Sequence, residues 1–166
     1  MTEHMKLKNY DNSETGCCAR FPIKKWDEKT VTWKNKLFVK DHITSAFHIP
    51  INFGKVVVRV FDKVDAVDAM PKDYIWFNEE NSLWGSDYYV AVSKEVPDAE
   101  NVKISGTFMT KVFEGGFREM ENWTKEMEKY VESKGKKVKK IYYCYTTCPK
   151  CAKVFGKNYV MLLAQV

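Results

Sequence analysis

The sequence has no apolar run near the 18 or so residues that a membrane-crossing helix needs. Its opening stretch, MTEHMKLK, lacks the apolar segment of a secretion signal. No membrane partner is expected, and a cytoplasmic location is. A glycine loop of the phosphate-cradling kind is missing, and so is a G-x-S-x-G nucleophile elbow. Nucleotide chemistry and serine-nucleophile chemistry therefore have no motif to stand on. The five cysteines are an odd count, which argues against a complete disulfide framework; in a reducing compartment most are expected as thiols. Net charge is +5, and residues 134–140 hold five lysines. That run contains no arginine, so it reads as a solvated helix end rather than a nucleic-acid patch.

What is present suffices for a core: 166 residues, of which 45% are hydrophobic. The most legible stretch is 102–166. Residues 102–113 read as a strand, and the paired glycines Gly115 and Gly116 as a turn. Over 117–133, Phe117, Met120, Trp123, Met127, Tyr130 and Val131 recur at helical spacing, with Arg118, Glu121, Lys125 and Glu128 on the other face. Gly135 stands where a C-cap glycine belongs. Two further strands follow, at 138–147 and 158–166, with Cys148, Pro149, Lys150 and Cys151 in the loop between them. The unit is βαββ.

The preceding residues repeat that order. Residues 45–49 form a short strand ended by Pro50. From 51 to 70, Val56, Val57, Val60, Phe61, Val64 and Val67 have helical spacing, with Asn52 as N-cap and Pro71 as the stop. Strands follow at 74–77 and 84–92, around a loop at 78–82. The expected fold class is α+β: two βαββ modules in tandem, about 42–97 and 102–166, forming an antiparallel sheet with helices on one face and a ligand cleft on the other. Residues 1–40 form an N-terminal arm that packs on the body, and 41–166 the main domain.

The face away from the helices has aromatic side chains to line it. Trp76, Trp84, Tyr89, Phe113, Tyr143 and Tyr145 are the candidate lining for a flat hydrophobic ligand, with His48, at the mouth of the first helix, as a further candidate. The same rings could instead make a core with the arm. Glu80 and Glu114 are the candidate charge partners or catalytic acids, with Glu79 and Asp87 also near strand ends. Cys17, Cys18, Cys148 and Cys151 could hold a structural zinc ion, or remain thiols; no other cofactor is indicated. Cys144, within a strand, is expected to be a small buried residue.

The ordered set YIWF (74–77), SDYYVAV (86–92), SGTFMTKVFEGG (105–116), YYCY (142–145) and YVMLLAQV (159–166) resembles the gyrase-inhibitor-like (GyrI-like) small-molecule-binding superfamily over about 42–166. The resemblance implies an aromatic cleft for drug-like, often cationic, molecules. It implies either sequestration, as in multidrug resistance, or hydrolysis of strained electrophiles. With no helix-turn-helix in the chain, the stand-alone forms fit. Where that superfamily often has a glutamate on its fifth strand, this chain has Tyr143, two residues before Tyr145. A charge would then have to come from Glu80, Asp87 or Glu114. The expected partner is a small aromatic ligand, with no nucleic acid, and the chain a monomer or homodimer.

Overall fold

A computed structural model gives the structure, which describes residues 10–166. The start of the expected arm, residues 1–9, lies outside the described residues. The chain forms two compact units, one of residues up to 17 and 35–104, the other of 18–34 and 105–166. The elements are α1 (Ile23–Trp26), β1 (Lys29–Ala46), β2 (Ile49–Pro50), α2 (Phe53–Ala66), β3 (Trp76–Ser82), β4 (Gly85–Ala91), β5 (Glu100–Glu114), a 3-10 turn (Phe117–Glu119), α3 (Met120–Ser133), β6 (Lys140–Tyr145), α4 (Pro149–Phe155) and β7 (Tyr159–Gln165). The protein is thus mixed α and β, and its paired strands run antiparallel.

In the first unit β4 lies between β1 and β3. Phe38 pairs with Ala91 and Thr44 with Gly85, while Trp76 pairs with Val90 and Phe77 with Tyr89. Helix α2 buries Val56, Val60, Phe61 and Val64. Each such side chain contributes about 1.5–3 kcal/mol on burial, which offsets the poor helix propensity of so many valines. Phe61 meets Trp76 at 5.9 Å and Phe53 meets Tyr88 at 6.1 Å, ring centre to ring centre. Trp76, Tyr88 and Val90 therefore share the side of the sheet under α2. By the two-residue period the opposite side carries Phe38, Phe77 and Tyr89, and the last two stack at 5.2 Å.

The second unit has β7 between β6 and β5, with Phe113 opposite Val160 and Tyr145 opposite Val160 on the other flank. Helix α3 packs Trp123, Met127 and Val131 into one cluster with Met109, Phe113, Val160, Leu162 and Ala164. Residues 18–34 join this unit by specific bonds. Val112 N donates to Asp27 Oδ1 at 3.0 Å, the Thr110 hydroxyl donates to the Trp26 carbonyl, and Lys111 pairs with Glu28 at 2.8 Å. Trp33 packs on Phe108 at 4.6 Å.

Several sequence expectations are corrected. The irregular arm through residue 40 is replaced, from Lys29 on, by an 18-residue strand that ends at Ala46. The single strand expected at 45–49 and ended by Pro50 is instead a hairpin, with Ile49 and Pro50 forming β2. Asn35 has φ 51°, and Phe38 and Val39 are buried at successive positions, one on each side of the strand. No single period-two pattern runs through the strand. The loop expected at 78–82 is strand: the ladder to β4 continues under Glu79 and Glu80 to Ser82, because backbone pairing does not require apolar side chains. Helix α2 stops at Ala66, with Asp68 at φ 50°, before Pro71 is reached. Asn52 stands at its N-cap position, but its Oδ1 accepts from Thr44 N at 2.8 Å and so fastens the preceding hairpin. Between β6 and β7 the cysteine loop contains helix α4, whose N-cap is Cys148.

Candidate functional site

Strand β1 turns into β2 through Phe47 and His48, with Ala46 opposite Ile49. Both turn residues have positive φ, 50° and 65°. A two-residue hairpin turn of this kind favours asparagine and glycine, and a bulky side chain there is strained by about 1–3 kcal/mol. The neighbouring turn between β3 and β4 is Leu83–Trp84. The two turns are tied together: His48 N donates to Leu83 O at 2.9 Å and Ser45 N to Trp84 O at 2.8 Å.

The tie brings together three residues picked out in the sequence. His48 Nδ1 stands 3.8 Å from Glu80 Oε2, and Trp84 packs on Phe47 at 5.1 Å between ring centres. Trp84 is 58% exposed and Phe47 70%, with Leu83, Ile49 and Ile51 also exposed around them. Burial pushes the Glu80 carboxyl above its usual range, while the His48 charge pulls it back. The arrangement is a carboxyl and an imidazole within ion-pair distance, beside an accessible apolar platform. Such a pair can give and take a proton next to a bound organic molecule.

The remaining predicted residues lie elsewhere. Trp76 is buried under α2, where Tyr74 stacks on it at 5.7 Å and Tyr10 meets it at 5.8 Å. Phe113, Tyr143 and Tyr145 belong to the helix side of the second unit. Phe113 stacks on Trp123 at 5.7 Å, the Tyr143 and Thr124 hydroxyls are 3.2 Å apart, and Tyr145 meets Phe117 edge-on at 5.4 Å. The expectation that these four rings line a face away from the helices is corrected. Period two correctly joined Tyr143 to Tyr145, but periodicity alone does not say which side a helix covers. Tyr89 lies on the side of its sheet opposite α2, where it is buried and its hydroxyl donates to Glu79 Oε2 at 2.9 Å. Glu114 is at the surface, paired with Lys157 at 3.4 Å.

Sequence reading missed His42. Its Nδ1 is 3.0 Å from Asp87 Oδ1, and Lys40 Nζ is 3.3 Å from Asp87 Oδ2. Burial raises the Asp87 carboxyl, but hydrogen bonds from His42, Asn81 and Lys40 outweigh it and hold the group below its usual range. Only the β1–β4 register, which sets His42 opposite Asp87, could have revealed this pair. The surface depressions along α2 are lined by Lys55, Arg59, Asp62 and Lys63, with Asp41 and Glu100 nearby, rather than by rings. Cys17, Cys18, Cys148 and Cys151 are close together, their sulfurs all within 4.8 Å of one another. Cys144 is buried in β6, as expected.

An antiparallel α+β fold that holds a carboxyl–imidazole pair among exposed rings has the parts of an acid–base catalyst or a binder of apolar organic molecules. The chain belongs to the family described as bacterial hydrolase, whose model matches residues 8–166. Among solved structures it is similar to a hydrolase from Listeria innocua, with a TM-score of 0.57 and 13% identity, covering 84% of this chain and 91% of that one. An uncharacterized conserved protein from Listeria innocua matches at TM-score 0.57 and 13% identity, covering 83% and 91%. At such identity the likeness shows the fold. No curated protein matches the chain.

Proposed function

We propose that this protein hydrolyses small, flat, largely apolar molecules with an electrophilic centre, and that Glu80 and His48 carry the proton transfers. The observation that carries this reading is the Glu80 carboxyl, raised by burial and 3.8 Å from an imidazole held in a strained turn. Strain of that kind persists where the surroundings over-determine it, often at functional sites. The hydrolase family supports the reaction class. We read the chain further as a stand-alone gyrase-inhibitor-like protein of two βαββ modules. Each unit supports this with a long strand, a helix and two further strands in that order, apart from the short β2 before α2 and the short α4 before β7, and with its first long strand beside its last.

The substrate lies on Trp84 and Phe47, whose faces accept a flat ring and tolerate a cation. Protonated Glu80 gives its proton to the leaving heteroatom or strained ring carbon as the bond to the electrophilic carbon breaks. Water adds to that carbon, and its proton returns to Glu80, directly or through His48. The net change is addition of one water, with the carboxyl restored.

Turnover of a panel of aromatic electrophiles, followed by mass analysis, tests this. Glu80→Gln should lower kcat/KM by about 10²–10⁴ while dye binding, read by Trp quenching, persists. Undiminished turnover in that variant would overturn the assignment. Ligand bound tightly yet recovered unchanged from wild type would favour sequestration. The pH profile gives a second check. Activity that needs protonated Glu80 falls as pH rises through its raised pKa. His48 pulls that pKa down, so His48→Ala should move the alkaline limb to higher pH.

A further inference from the structure

We propose that Cys17, Cys18, Cys148 and Cys151 form a tetrathiolate site for one zinc ion. Their four sulfurs lie within 4.8 Å of one another, and none is in a disulfide. A zinc ion with about 2.3 Å bonds in tetrahedral geometry sets its sulfurs roughly 3.8 Å apart. Closing from the observed spacing takes side-chain adjustments of an ångström or less. An iron–sulfur cluster, with several metals at its centre, would hold its four cysteines farther apart.

The site is built around the second unit. Cys148 is the N-cap of α4, Pro149 sets the first turn, and Cys151 is buried on that turn. The spacing C-P-K-C thus wraps a single helical turn, placing both sulfurs on one side. Cys18 is in the same unit, and Cys17 is held beside it by the peptide bond between them. On the N-terminal flank the tight turn that closes Gly16 N onto Asn12 O at 2.8 Å presents the cysteine pair.

Backbone donors already point at the sulfurs. Cys148 N donates to Cys18 Sγ at 3.4 Å, and Cys151 N to Cys148 Sγ at 3.5 Å. Donors of this kind favour thiolate over thiol and orient it, as outer-shell partners do at metal centres. Four thiolates around one divalent ion carry a net charge of −2. Arg20, Lys150 and Lys153 lie within two residues of a ligand along the sequence and supply compensating charge. A redox pair would use two cysteines; four convergent sulfurs with two thiolate-directed N–H groups fit a closed structural metal site better. The occupant is a soft, tetrahedral-tolerant divalent ion, and among those zinc needs no redox partner.

The experiment uses the untagged full chain, purified with reductant and without chelator. Elemental analysis should return one zinc per chain, released by a mercurial reagent and captured by a chromogenic chelator. Cobalt exchanged into the site should give the intense visible bands of tetrahedral cobalt thiolate. Cys148→Ser and Cys18→Ser should each lose the metal, whereas Cys144→Ser should keep it. Should a serine variant fail to fold, alkylation of the wild type answers independently: the four thiols should be slow to react until chelator is added, then react together. Metal-free protein with all four thiols promptly alkylated would overturn the proposal. So would a mass deficit showing two disulfides, or iron in place of zinc. None of these readouts depends on turnover, so the zinc site and the Glu80 reading stand or fall separately.

Discussion

At Glu80 the raised pKa has a consequence for stability. The folded chain binds this proton more tightly than the unfolded chain does. The contribution is fully present below the ordinary value of 4.5 and is lost as pH rises through the folded value. Glu80→Gln removes the ionisation. The variant should match wild type in Tm at about pH 4 and become relatively more stable toward pH 8, whatever it does to turnover. Gly115 is constrained differently. It has φ 143°, and a Cβ there would stand 3.1 Å from the Trp123 ring. Gly115→Ala should therefore cost about 1–3 kcal/mol in urea unfolding, from backbone strain and ring displacement together. Asn78 makes the opposite case: it is buried, and its Oδ1 has no hydrogen-bond partner. Asn78→Leu should be neutral or stabilising by up to about 1 kcal/mol, because no satisfied bond to Oδ1 is lost.

Among the elements, the β1–β2 hairpin has the sharpest conflict between stability and purpose. Replacing Phe47 and His48 with asparagine and glycine would satisfy the turn's positive φ values and should raise Tm. The same change removes a ring and the imidazole, so activity and dye binding should fall; unchanged activity would detach the turn from the site. Helices were the elements most legible in the sequence. The 3.6-residue recurrence of Val56, Val60 and Val64, and of Trp123, Met127 and Val131, marks faces that are indeed buried. Strands were legible where apolar runs were short and continuous, as in β7. They were illegible where the ladder runs under polar residues, as at Glu79 and Glu80, or where both sides of the strand are buried, as at Phe38 and Val39 in β1. Of the site, Glu80, His48 and Trp84 were visible as residue types but not as neighbours. Their proximity depends on two turns bonded to each other, and no period in the chain encodes that. Tyr143 and Tyr145 show the converse: their shared face was readable, while the side α3 covers was not.

For the whole molecule, the division into units was only half legible. The boundary near residue 100 follows from the repeated order of elements. The assignment of 18–34 to the later unit does not, because it rests on bonds such as Val112 N to Asp27 and Lys111 to Glu28, made across more than eighty residues of sequence. That interleaving imposes an order on synthesis. Residues 18–34 emerge early and must wait while some seventy others are made before 105–114 appears to receive them. At about 5–20 residues per second, the delay is several seconds. The first unit has all its strands by then, while β7, which lies between β6 and β5, comes last of all. The second unit cannot close its sheet until translation reaches β7, and until 105–114 appears Trp26 and Trp33 remain available to chaperones or to neighbouring nascent chains.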